Sequence, residues 1–154
     1  MPAYDKHLIS GFATFLFLAF IISTPTTTQA NYISWLFFCL FGSLFPDIDT
    51  KSHIQRWFYT LTVLGLICAY MAKFEFSYLL TLLFVPLIVK HRGLFHNPKF
   101  LLILSFGLAF LFQLNGLQNY HNYCILALFF LAGAYSHLIL DLGLKKFSYK
   151  LLKR

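Results

Sequence analysis

The run YCILALFFLAGAYSHLILDL, residues 123–142, decides the fold. Its twenty residues would extend about 30 Å as an α-helix, which is the depth of a bilayer's hydrocarbon core. Its second half holds one imidazole, His137, and one carboxylate, Asp141, and no lysine or arginine. Similar apolar runs recur outward from it, at residues 8–23, 32–45, 57–72, 76–89 and 100–114. Several fall short of the roughly 20 residues a spanning helix needs, so each must borrow flanking residues, tilt, or stop short of crossing. The expectation is an all-α, polytopic helical membrane bundle of about six short transmembrane helices, with four to six full crossings. Residues 1–142 read as one membrane-embedded domain, and residues 143–154 as a basic tail lying along the headgroups.

Composition points the same way. Of 154 residues, 59% are hydrophobic and only 11% are charged, against roughly 25% charged in ordinary soluble domains. That leaves too few charges for a polar shell. The formal charge of +7 suits anionic headgroups or phosphorylated substrates. The basic residues are scattered over short loops and the tail, so no nucleic-acid partner is expected. In the six-span reading Lys6, Lys51, Arg56, Lys90, Arg92, Lys99, Lys145, Lys146, Lys150, Lys153 and Arg154 share one side, and only Lys73 lies opposite. Lysine and arginine collect on the cytoplasmic side, which places both termini there.

The first run could serve as a signal peptide, but its flank carries only Lys6 beside Asp5 and lacks an A-x-A cleavage pattern, so it is expected to remain as a span. Cys39, Cys68 and Cys124 lie singly in apolar runs, the placement of small buried residues and not of a disulfide or thiolate-zinc framework.

The same topology gathers His7, Asp47, Asp49, His53, His91, His96, His137 and Asp141 on or near the cytoplasmic face, leaving His121 opposite. Imidazoles and carboxylates together make a divalent metal site. His137 and Asp141, four apart, share one helix face. Taken alone they read equally well as a hydrogen-bonded pair, although ionisable groups in a spanning helix usually have a partner or a function. Pro46-Asp47-Ile48-Asp49 puts two carboxylates on one side if the segment is extended, with His53 four residues beyond; alone, it reads more commonly as a solvated turn. His91-Arg92-Gly93-Leu94-Phe95-His96 sets two imidazoles five apart, so the chain must turn, and Gly93 permits it. His7, with Gly11 one turn on to let another helix approach, is either a further ligand or an interfacial residue. Asn97-Pro98 reads as a helix N-cap and first position, and Asp5 as a cap for the first helix.

Taken in order, His7, Pro46-Asp47-Ile48-Asp49 with Ser52 and His53, His91-Arg92-Gly93-x-x-His96, and Gly133-x-x-Ser136-His137-x-x-x-Asp141 resemble the YdjM-like family of bacterial inner-membrane proteins, described as metal-dependent hydrolases. Phe95 and Asn97 stand where the family pattern has Thr and Ser. They flank the presumed ligands without replacing them, and put substrate contacts in question more than metal binding.

These residues support a membrane hydrolase holding one or more divalent ions, first Zn²⁺, with Mn²⁺ or Mg²⁺ as alternatives. The expected ligands are His7, Asp47, Asp49, His53, His91, His96, His137 and Asp141. Asp49 is the candidate general base, and Arg92 and Lys51 are candidates to neutralise phosphate oxygens. The substrate class is a phospholipid headgroup or a phosphorylated small molecule. The rival is a non-catalytic metal-binding or transport protein, which predicts ionisable groups at the bilayer midplane.

Overall fold

The computed structural model describes residues 4–49, 60, 63, 94–114 and 120–152. The chain divides into two units, residues 1–46 with 95–154, and residues 47–94. Of the second, the described residues are Asp47 to Asp49 at the end of a 3₁₀ turn, the exposed helical residues Thr60 and Val63, and Leu94. The expected spans at 57–72 and 76–89 therefore lie outside the described residues but for those two positions.

Among its described residues the first unit has five α-helices and no strand: α1 (Tyr4–Ile22), α2 (Gln29–Leu44), α3 (Pro98–Leu114), α4 (Tyr120–Leu142) and α5 (Leu144–Leu152). Each of the four apolar runs has gained residues at its N-terminal end relative to its hydropathy limits, because polar flanking residues continue the helical hydrogen bonding. Thr28 caps α2, its side chain accepting from the Asn31 backbone N–H. Asn97 caps α3 as its type predicts, accepting the Lys99 N–H at 3.0 Å, with Pro98 in the first position where no N–H is needed. Asp5 lies inside the first turn of α1 and not ahead of it, where it still faces the positive helix end.

Within the described residues, two helices are long and apolar enough to cross a membrane, over Asp5–Ile22 and His121–Leu142. Their outward faces carry large apolar side chains: on α1, Phe20 is 87% exposed and Phe17 65%. Water would penalise such a face, whereas lipid does not. His121, expected in a loop, is an exposed residue in the first turn of α4.

Helix α4 packs against α1, α2 and α3, and α1 packs against α2. The α2–α4 register repeats at four-residue steps on both helices. Trp35 stacks on Phe129 at 5.0 Å between ring centroids, Cys39 meets Gly133, and Ser43 meets His137. The two helices therefore run parallel. Helix α1 runs antiparallel to α4, bringing Phe15 to Phe129 and His7 to His137.

Layers follow one helical turn apart: an aromatic core of Phe15, Trp35 and Phe129, a layer of small residues, then the imidazoles. Small residues are required in the middle layer. A Cβ on Gly133 would collide with the Cys39 carbonyl oxygen, and one on Gly42 with that of Phe130. At Gly11 a Cβ would come 2.6 Å from Ser43 Oγ, so its expected close approach is present. Cys39 is fully buried here and donates its thiol to the Gly11 carbonyl at 3.3 Å.

Candidate metal centre

Side chains on a helix lean toward its N-terminus, so Asp141, one residue from the end of α4, leans toward His137 a turn below. His137 is completely buried. Its Nδ1 lies 2.8 Å from the Ser43 carbonyl oxygen, which can only accept, so Nδ1 carries the proton. That carbonyl is available because α2 ends at Leu44, and the last carbonyls of a helix lack intrahelical partners. The tautomer of His137 is thus set by a helix terminus, and Nε2 turns its lone pair toward Asp141.

Two further imidazoles converge on the same carboxylate. His7, from the first turns of α1, is 1% exposed and stacks on His137 with centroids 3.9 Å apart. His96 ends the short 3₁₀ turn Leu94–His96 and is 4% exposed. His7 Nε2 lies 3.6 Å from Asp141 Oδ1. His137 Nε2 is 3.6 Å and His96 Nε2 3.8 Å from Oδ2. The Asp141 side chain is only 9% exposed.

These separations decide what the cluster can do. A charge-assisted N–H···O bond closes to about 2.7–2.9 Å, so 3.6–3.8 Å is too long for imidazolium–carboxylate hydrogen bonds. Donor atoms about 2.1 Å from a tetrahedral ion lie about 3.4 Å apart, within a few tenths of an ångström of the observed values. A buried carboxylate facing an imidazole lone pair is repulsive unless a cation lies between them. The cluster could hold a metal ion, and the donor atoms of His96, His137 and Asp141 lie within 4.8 Å of one another.

Of the expected ligands, the structure brings together His7, His96, His137 and Asp141. Asp47, half-buried, is the first residue of the second unit. Its segment, Phe45–Asp49, is a 3₁₀ helix and not extended, because α2 runs on into a tighter turn; the strand-type alternation that paired Asp47 with Asp49 therefore does not apply. The Asp49 side chain, Lys51, His53, His91 and Arg92 lie outside the described residues.

Both departures from the family pattern have structural work. Phe95, 2% exposed, meets Phe45 edge-on at 5.2 Å and Phe100 at 5.7 Å, while Asn97 caps α3. Ser43 escaped the sequence reading because it acts through its backbone. The available signal was Pro46, which ends α2 and leaves carbonyls for another group to use.

No curated protein and no solved structure matches the chain. The family model of the YdjM inner membrane protein matches residues 1–150, nearly the whole length, and with the helical membrane character and the His/Asp cluster already described, the chain belongs to that family.

Proposed function

We propose that the protein is a membrane-embedded, metal-dependent hydrolase. The observation that supports this most is the buried Asp141 carboxylate ringed by three imidazole nitrogens at 3.6–3.8 Å. His7, His96, His137 and Asp141 would hold the ion, with Asp47 as a further carboxylate ligand and Asp49, His53 and His91 completing the expected set. The mixed nitrogen and oxygen donors favour Zn²⁺ over Mg²⁺, which prefers oxygen alone. A divalent ion there supplies Lewis acidity and brings water toward ionisation at neutral pH.

The chain's own residues have distinct tasks in this reading. The Ser43 carbonyl holds the His137 ring in its ligating tautomer, an arrangement common behind metal-bound histidine. The aromatic layer beneath keeps bulk water from the floor of the site. Asp49 takes a proton from the attacking water, and Arg92 and Lys51 balance charge on a phosphoester as it develops.

The cluster lies at helix ends: near the start of α1 and α3 and the end of α2 and α4. That favours chemistry at headgroup depth over translocation, which needs polar groups near the midplane. All five described lysines, Lys6, Lys99, Lys145, Lys146 and Lys150, belong to this end, and the opposite turns at residues 23–28 and 120–123 have none. By the positive-inside rule this supports a multi-pass bundle with its site facing the cytoplasm.

The test is elemental analysis of purified wild type, His137→Ala and Asp141→Ala, paired with phosphoester turnover. Both variants should lose metal, and wild-type turnover should stop on chelation and return with Zn²⁺. Unchanged stoichiometry in both variants, or turnover indifferent to chelation, would defeat the reading.

A further inference from the structure

We propose that α5 is a docking surface for anionic phospholipid headgroups, with Lys145, Lys146 and Lys150 binding the phosphates and Leu144 and Leu152 seated among the acyl chains. Gly143, with φ of 75°, both ends α4 and opens α5: its N–H donates to the Ile139 carbonyl at 2.9 Å, and its own carbonyl accepts the Phe147 N–H at 3.0 Å. The positive φ lets the chain change direction at the level of Asp141, and glycine adopts it without steric cost.

Phe147 is the buried residue of helix α5. Phe147 is buried edge-on against Tyr135 at 5.1 Å, and Tyr135 donates its hydroxyl to the Pro98 carbonyl at 3.0 Å. The remaining surface is sorted by chemistry. Leu144 is 66% exposed and Leu152 79%, and with Ser148 between them they form one stripe at four-residue spacing. Lys146 and Lys150 form another, Lys145 borders the leucines, and Tyr149, 62% exposed, lies between Lys145 and the other two lysines; all three lysines are exposed.

No acidic residue occurs in the helix. Its nine residues extend about 13 Å, too short to span a bilayer. An exposed leucine stripe beside cations fits an acyl–headgroup boundary, whereas a freely dissolved anion would use only the lysines.

The test uses the full chain in phosphatidylcholine nanodiscs containing spin-labelled phosphatidylglycerol or spin-labelled phosphatidylcholine, read as the motionally restricted lipid fraction. Each lysine near an anionic surface adds a factor of roughly five, so wild type should prefer phosphatidylglycerol at least several-fold at low salt. Replacing Lys145, Lys146 and Lys150 by Gln should abolish the preference while helical content and metal content stay unchanged. High salt should also abolish it.

The preference should persist after chelation, so its outcome is separable from that of the metal centre. Equal preference in the triple variant, persistence in high salt, or loss on chelation would overturn the proposal. So would variant-sensitive binding of inorganic phosphate, or of an acidic protein, in wild type that shows no lipid preference.

Discussion

Replacing Gly133 by Ala tests whether a backbone crossing sets the metal centre. The new Cβ would fall on the Cys39 carbonyl oxygen and lie 2.9 Å from both the Cys39 carbonyl carbon and the Ser43 nitrogen. All these atoms are backbone, so no rotamer change relieves the overlap; α2 and α4 must part by about 1.5 Å to restore ordinary van der Waals distances of about 3.5 Å. Ser43 and His137 lie one turn further along the same register. A shift of that size stretches their 2.8 Å bond toward about 4.3 Å, beyond hydrogen-bonding range.

Overpacking of this kind costs about 1–3 kcal/mol of stability, and loss of a group that orients a ligating histidine costs about 10–100-fold in metal affinity. Competition with a chelating dye measures the second, and thermal unfolding in detergent the first. Gly107→Ala is the control: a Cβ there meets nothing within 4 Å, so affinity should be unchanged. Wild-type affinity and stability in Gly133→Ala would refute the coupling of crossing to site.

Metal affinity should fall as pH is lowered, because a ligating imidazole must be neutral and protons compete for its nitrogen. Calorimetric titration between about pH 5.5 and 8, in buffers of different ionisation enthalpy, should show protons released as the metal binds, and a pH-independent affinity would exclude histidine ligation. Asn97→Ala removes the α3 cap and should cost about 1 kcal/mol, with metal affinity also reduced because His96 is adjacent; thermal unfolding and dye competition report the two effects. Tyr135→Phe deletes the bond to the Pro98 carbonyl and should cost about 0.5–1.5 kcal/mol while leaving metal content unchanged, since the ring still packs on Phe147.

What was legible in the residues and what was not divides along the range of the forces involved. Hydropathy marks 8–23, 32–45, 100–114 and 123–142 because each residue meets lipid or core through its own local run, and Asn97-Pro98 declares a helix start through bonds to its immediate neighbours. His137 and Asp141 share a face by helix period alone. Helix ends were less legible, since Thr28, Gln29 and Asp5 are polar yet continue or cap the turns.

The amino-acid sequence by itself determined the membrane-helical character, the caps, and the set of imidazoles and carboxylates available for a site. Only the tertiary structure decided which of them meet. The choice depends on helices separated by scores of residues approaching closely enough at Gly11, Gly42 and Gly133 for the Ser43 carbonyl to orient His137, and for His7 and His96 to reach Asp141. Such long-range register is set by packing between distant surfaces, which no local pattern encodes.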